Sequence, residues 1–165
     1  MIRVLVADAH PLLRAGLKQV LAETTDLAVT DEAASGQEVL AKIRRQAFDV
    51  VSLDLAMPDG NGLEVLKQIK AEQPDLPVLV LSMYPEDQFA LRAIKAGAAG
   101  YLAKTSIPGE LVAALRKIAA GGRYISASLA EQLALSLQHP DQARMPHEQM
   151  SDREYEIFCR IGRGE

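Results

Sequence analysis

The chain has 165 residues, 48% of them hydrophobic and 24% charged, and a net charge of −4 at pH 7. This size fits one packed domain with a short appendage, and the acidic balance argues against nucleic-acid binding by this chain on electrostatics alone. The single cysteine excludes an internal disulfide. No apolar run approaches the roughly 20 residues that cross a membrane, and no secretory signal is visible, so we expect a cytoplasmic protein.

Short apolar runs alternate along the chain with longer segments of helical periodicity. The apolar runs predict strands at residues 2–7, 27–33, 49–53, 77–81 and 100–103. The segments between and after them predict helices near residues 12–22, 37–45, 62–73, 86–96 and 110–119. Five such units in succession predict a three-layer α/β domain with a parallel sheet. The run at 27–33 is the more polar one, which is typical of an edge strand.

The pattern changes after Gly122. Residues 126–137 predict one more helix, and residues 138–149, with two prolines and scattered polar residues, are typical of a linker. A new element then begins at Met150, where Ser151 and Glu154 have the spacing of a helix capping box. The predicted division of the chain is 1–122, 123–149 and 150–165.

Four residues that carry chemistry follow predicted strands. Asp8, Asp54 and Lys104 come directly after the first, third and fifth strands, and Ser82 stands at the end of the fourth. Ligands of open α/β sheets bind outside the carboxyl ends of the strands. With strand order 2-1-3-4-5, Asp8 and Ser82 flank Asp54 on strands about 4.8 Å apart. The long side chain of Lys104 is then expected to span the remaining gap.

Two carboxylates, a hydroxyl and an ammonium in one crevice indicate a divalent cation and a phosphoryl group. Mg²⁺ prefers oxygen ligands, here the carboxylates of Asp8 and Asp54 and the backbone carbonyl of Ala56. Asp54 is the expected nucleophile, forming an acyl phosphate. Ser82 and Lys104 are expected to hold the phosphoryl oxygens.

Four segments in this order and spacing resemble a two-component response regulator of the NarL/LuxR type. They are residues 4–17 (VLVADAHPLLRAGL), 53–58 (LDLAMP, followed by Gly60 or Gly62), 80–83 (VLSM) and 96–104 (AGAAGYLAK). The resemblance implies a flavodoxin-like receiver domain that is phosphorylated on Asp54 by a sensor histidine kinase and is not an enzyme in its own right. It also implies that Tyr101 is a switch aromatic and that activation produces a homodimer.

Residues 150–154 (MSDRE), with Gly164, are similar to the start of that family's helix-turn-helix domain. A helix-turn-helix reads bases with its second helix. Residues 150–165 have room for the first helix only, so we expect promoter binding by the full-length parent protein and not by this chain.

One departure from the family pattern supports an alternative function. Receiver domains usually begin the site with two adjacent acidic residues, and here the second position is Ala9. The missing carboxylate is a direct metal ligand in the family, so Mg²⁺ binding is expected to be weakened. The alternative is a receiver that acts without phosphorylation, as a protein-interaction module. A third hypothesis, an aspartate-nucleophile phosphatase, is disfavoured because Ala56 occupies that class's second acidic position.

Simpler interpretations remain open for several residues. Asp8 is also suited to cap the first helix, Asp54 to order its loop, and Lys104 to lie on the surface in solvent. Tyr101 fits a half-buried packing position as well as a switch. The histidines, His10 included, lack metal-ligand spacing and are interpreted as ordinary polar residues.

Overall fold

The computed structural model describes residues 1–58, 62–83, 86–105 and 108–138. The strands in those residues are β1 (Ile2–Ala7), β2 (Leu27–Ala33), β3 (Val50–Leu53), β4 (Val78–Ser82) and β5 (Gly100–Ala103). The helices are α1 (Pro11–Ala22), α2 (Gly36–Arg45), α3 (Gly62–Glu72), α4 (Glu86–Lys95), α5 (Pro108–Ala119) and α6 (Ala127–Gln138). Every predicted strand and helix of this part of the chain is confirmed, with bounds that shift by one or two residues.

The strands form one parallel sheet in the order β2-β1-β3-β4-β5, as predicted. The more polar strand β2 lies at the edge. In the register of the sheet Ala7 of β1 pairs with Leu53 of β3, and Ser82 of β4 pairs with Ala103 of β5. The residues that follow these strands therefore meet at one edge of the sheet.

Both faces of the sheet are covered by apolar side chains. Alternate residues of a strand point to opposite faces, and accordingly Val4 and Leu5, both fully buried, belong to two different core clusters. Leu5 packs in the cluster that includes Ile69 of α3, whereas Val4 packs in the cluster that includes Leu115 of α5. Burial on both faces explains why the central strands read as almost continuous apolar runs.

Helix ends follow local sequence signals. Gly97 and Gly121, just after α4 and α5, have φ angles of +111° and +95°, a backbone region that favours glycine and commonly ends a helix. Helix α2 begins with Ser35, whose side chain accepts a hydrogen bond from the amide of Glu38 at 3.2 Å. None of the described helices has the length and apolarity needed to cross a bilayer.

Helix α6 packs back onto α4. Its Leu129 is 1% exposed and joins the core cluster that contains Phe89 and Tyr101. The chain reaches α6 along the outer edge of β5, where the amide of Tyr124 donates to the carbonyl of Ala99 at 3.0 Å. The predicted division of the chain stays a prediction. The linker, the capping box of Ser151 and the helix-turn-helix segment lie outside the described residues.

Candidate functional site

Asp8, Asp54 and Lys104 form a buried charge cluster at the carboxyl ends of β1, β3 and β5. The Nζ atom of Lys104 lies 2.7 Å from Oδ2 of Asp8 and 3.0 Å from Oδ2 of Asp54. Each aspartate is 2% exposed, and the lysine side chain is 5% exposed. The interpretation of Lys104 as a solvated surface lysine is therefore wrong. Because these charges are buried, each carboxylate depends on the Lys104 ammonium to balance its charge.

Ser82 lies at the same edge of the sheet, on the strand between those of Asp54 and Lys104. It is fully buried. Its backbone carbonyl accepts a hydrogen bond from the amide of Lys104 at 2.8 Å, which fixes the ends of β4 and β5 relative to each other. Four residues from four adjacent strands therefore surround one crevice, in the arrangement that the strand order predicts.

The loop that carries Asp54 is held against the start of α3. Oδ1 of Asp54 accepts a hydrogen bond from the amide of Ala56 at 3.0 Å, and the amide of Gly62 donates to the carbonyl of Leu55 at 3.1 Å. A Cβ atom at Gly62 would lie 2.4 Å from the Cα of Leu55, so this position accepts no side chain without movement of the loop. Of the two glycines in the sequence pattern, Gly62 is the one that contacts the loop of Asp54. Gly60 lies outside the described residues.

His10 and Arg14 also contact Asp8, and neither contact was predicted from the sequence. The amide of His10 donates to Oδ1 of Asp8 at 2.8 Å, and its ring Nδ1 lies 3.0 Å from the same oxygen. Arg14 donates to the backbone carbonyl of Asp8 at 2.5 Å. A signal for His10 was available, because a residue two positions after a strand-end aspartate reaches the same crevice.

Asp8 is not the N-cap of α1. That position is His10, and no side chain caps the helix there. Because Pro11 follows, His10 is restricted to extended backbone, and its φ and ψ are −95° and 111°. The side chain of Asp8 therefore does not cap α1 and instead contacts Lys104 in the crevice.

Charges outside the crevice hold Arg14 in place. Its Nε atom lies 3.2 Å from Oε1 of Glu32, and Lys18 lies 3.0 Å from the other oxygen of that carboxylate. The hydrogen bond from Lys18 and, with smaller weight, the one from Arg14 lower the pKa of Glu32. Glu32 therefore stays ionised at neutral pH and anchors the arginine that contacts the backbone of Asp8.

Tyr101 occupies an interior position. It is 2% exposed and packs in the cluster with Phe89 of α4 and Leu129 of α6. Its burial is deeper than the half-buried position considered from the sequence. Tyr101 lies on β5, three residues before Lys104.

The donor atoms present fit a divalent cation. The buried carboxylates of Asp8 and Asp54 are hard oxygen donors, and one ligand atom each from Asp8, His10 and Asp54 lie within 4.8 Å of one another. Ala9 adds no side-chain ligand, because its methyl group has no donor atom. The acidic part of the set is therefore two carboxylates, one fewer than the family pattern.

Comparisons with known proteins agree with this geometry. Residues 4–116 match the model of the response regulator receiver domain. Response regulator UvrY of Escherichia coli K12 is 36% identical over 165 residues, which are 100% of this chain and 76% of UvrY. Response regulator GacA of Pseudomonas aeruginosa is 41% identical over 161 residues, covering 98% of this chain and 75% of GacA.

Among solved structures, a LuxR-family two-component response regulator from Aurantimonas sp. SI85-9A1 superposes with a TM-score of 0.74 at 34% identity, over 82% of this chain and 97% of that one. Receiver domains generally bind Mg²⁺ through acidic residues, and they typically act as signal transducers that interact with histidine kinases and dimerise. The flavodoxin-like fold, the acidic crevice and these likenesses lead to one conclusion: the chain belongs to the response regulator receiver family.

Proposed function

We propose that this chain is a phosphorylation switch in which Asp54 accepts a phosphoryl group from the phosphohistidine of a sensor kinase or from a small acyl phosphate. The observation that carries the proposal is the convergence of Asp8, Asp54 and Lys104 within 3.0 Å contacts at the sheet edge. An oxygen of Asp54 attacks phosphorus, the bond from phosphorus to the donor breaks, and an acyl phosphate forms.

Lys104 and Ser82 are assigned to the phosphoryl oxygens. The ammonium of Lys104 is already 3.0 Å from Oδ2 of Asp54 and is well placed to follow the new negative charge when the carboxylate is phosphorylated. The hydroxyl of Ser82 lies on the neighbouring strand and would donate to a second phosphoryl oxygen. Both residues are buried, so water competes little for these contacts.

Asp8, Asp54 and the backbone carbonyl of Ala56 are the residues proposed to hold Mg²⁺. When bound, the cation neutralises the repulsion between the Asp54 carboxylate and the negatively charged donor. Arg14 and the amide of His10 position Asp8 for this purpose through its backbone carbonyl and its Oδ1 atom.

The output of the switch is proposed to be a change at the surface formed by β5 and α4, where Tyr101 and Phe89 pack together. A shift of Lys104 and Ser82 toward a phosphoryl group alters the ends of β4 and β5, and the packing of Tyr101 alters with them. Dimerisation and promoter binding by the parent protein follow in this scheme, with residues 150–165 belonging to its helix-turn-helix domain.

The test is the intact mass of the chain after incubation with acetyl phosphate and Mg²⁺. We expect a single added phosphoryl group in the wild-type chain and none in Asp54→Asn, whose amide is a poor nucleophile of matched size. Ala9→Asp, which restores the second carboxylate, should be phosphorylated faster at limiting Mg²⁺.

An unmodified wild-type chain at high Mg²⁺, together with a modified Ala9→Asp chain, would overturn the proposal. That pair of results would favour the alternative, a receiver that works without phosphorylation as an interaction module. This alternative rests on Ala9 alone, and none of the relatives found favours it.

A further inference from the structure

We propose that the imidazole of His10 serves as a third ligand of the divalent cation and shifts the preference of the site from Mg²⁺ toward first-row transition ions. The inference rests on the proposed function, because it concerns the cation that Asp8 and Asp54 would hold. It is suggested by two facts about neighbouring positions. Ala9 lacks the expected carboxylate, and His10 places a nitrogen atom beside the remaining one.

The separations suit a shared cation. Ring Nδ1 of His10 lies 3.0 Å from Oδ1 of Asp8. One ligand atom from each of Asp8, His10 and Asp54 lies within 4.8 Å of the other two. In octahedral coordination with bonds of about 2.1 Å, adjacent ligand atoms are about 3.0 Å apart and opposite ones about 4.2 Å. Shifts of a few tenths of an ångström therefore suffice to bring all three atoms onto one ion.

Backbone geometry keeps the ring at this position. Pro11 restricts His10 to extended backbone, and the amide of His10 donates to Oδ1 of Asp8 at 2.8 Å. The residue is thus fixed beside the carboxylate by its own main chain. Its side chain is 68% exposed, so the ring can adjust its angle without disturbing the packing of the core.

His10 and Lys104 use different oxygens of Asp8. The lysine ammonium lies 2.7 Å from Oδ2, whereas the imidazole lies 3.0 Å from Oδ1. The lysine is buried and the histidine lies on the solvent side. A cation that enters from solvent on the Oδ1 side therefore meets His10 first, and it need not displace the ammonium from Oδ2 to do so.

Ligand chemistry then determines the metal preference. Mg²⁺ favours oxygen donors and loses its water reluctantly, so an imidazole in place of a carboxylate adds little to its binding. For nitrogen and oxygen sites the affinity of first-row ions rises from Mn²⁺ to Co²⁺ and Ni²⁺, and imidazole suits these ions well. A site with two carboxylates and one imidazole should bind Co²⁺ and Mn²⁺ more tightly than Mg²⁺.

The experiment measures the Kd of Mg²⁺, Mn²⁺ and Co²⁺ for the whole chain by calorimetry. We expect His10→Ala to raise the Kd of Co²⁺ by about tenfold or more, as loss of a ligand or its support commonly does, while the Kd of Mg²⁺ changes much less. His147→Ala removes an imidazole elsewhere in the chain and is the matched control. Ala9→Asp should lower the Kd of Mg²⁺ and reduce the preference for Co²⁺.

A spectroscopic readout separates ligation from general effects of the substitution. In the Mn²⁺ complex, electron spin-echo modulation from a bound imidazole nitrogen should be present in the wild-type chain and absent in His10→Ala. An equal loss of affinity for all three metals in His10→Ala, or an unchanged nitrogen signal, would overturn the assignment of His10. If Asp54 is still phosphorylated with Mg²⁺ in that case, the proposed function stands without it. Failure of all three metals to bind would overturn both the assignment of His10 and the proposed function.

Discussion

At the scale of single residues, Lys104 is the group on which the charge balance of the crevice depends. It faces two carboxylates that are each 2% exposed, and its own side chain is 5% exposed. Without this ammonium the charges of Asp8 and Asp54 would repel each other strongly, because water screens buried charges only weakly. The ammonium therefore has a structural role besides its proposed role in phosphoryl binding.

Replacement of this lysine tests that role. We expect Lys104→Met to lower the free energy of unfolding by about 3–5 kcal/mol in the presence of a chelator, because it leaves buried carboxylates without a partner. Urea denaturation measures the change, and added Mg²⁺ should recover part of the loss.

The matched control is Lys18→Met, which removes an ammonium that is 49% exposed and pairs with Glu32 at the surface. An exposed pair is worth less than about 1 kcal/mol, so this variant should differ little from the wild type. Equal stability of the two variants would show that Asp8 and Asp54 do not depend on Lys104.

At the scale of elements, the start of α3 determines the path of the loop after Asp54. Gly62 is buried, and a methyl group there would overlap the backbone of Leu55. The collision is with main chain and not with a side chain that can rotate away. Either the loop or the helix must therefore move to accommodate a methyl group at this position.

Alanine at this position should be costly. We expect Gly62→Ala to destabilise the chain by about 1–3 kcal/mol, the usual cost of overpacking, and to slow phosphorylation of Asp54 because the loop is displaced. Gly16→Ala is the control, since a Cβ there meets nothing within 4 Å inside helix α1.

That control should be more stable than the wild type by about 0.5–1 kcal/mol, because alanine is the better helix former. Thermal denaturation compares the three chains. A Gly62→Ala chain as stable as the wild type would mean that the contact with Leu55 relaxes freely.

The edge strand β2 is held from both sides by ion pairs. Asp31 and Glu32 are consecutive, so their side chains point to opposite faces of the sheet. Asp31 pairs with Lys42 of α2 at 2.8 Å, and Glu32 pairs with Lys18 of α1 at 3.0 Å. This explains the polar pattern that marked the strand as an edge in the sequence.

At the scale of the whole molecule, ion pairs join different parts of the fold. Their carboxylates have lowered pKa values, in each case chiefly through a hydrogen bond from the cationic partner. The pairs are Arg116 with Asp26, Lys42 with Asp31, Lys18 with Glu32, Arg3 with Asp49, and Arg44 with Glu72.

These shifts predict loss of stability in acid. A carboxyl group whose pKa is lower in the folded state stabilises it above the unfolded pKa, and that contribution is lost as the pH falls through the folded pKa. We expect the free energy of unfolding to be level above about pH 5 and to fall below it. Urea denaturation at a series of pH values measures the curve.

The pair of Asp31 and Lys42 offers a specific check. Asp31→Asn should be less stable than the wild type at pH 7, and the difference should narrow as the pH falls, because both forms are then neutral at this position. Glu131→Gln, on the exposed surface of α6, serves as the control. A difference for Asp31→Asn that is independent of pH would contradict the role of the carboxylate charge.

The amino-acid sequence determined the elements, their order and the strand-end position of the site residues. Apolar runs buried on two faces, helices of one-sided periodicity and glycine stops are local properties, and each can be read within a short window. The strand order then placed Asp8, Asp54, Ser82 and Lys104 at one edge. Resemblance to receiver domains supplied the role proposed for Tyr101.

Tertiary structure alone decided which contacts these residues make. The position of His10 beside Asp8, the contact of Lys104 with both carboxylates and the packing of α6 through Leu129 depend on side-chain directions and on residues far apart in the chain. Pattern within a segment carries no information on such contacts, because they arise only when the sheet aligns the ends of its strands. The sequence therefore predicts only an ordinary polar residue at His10, and the fold places it in the crevice.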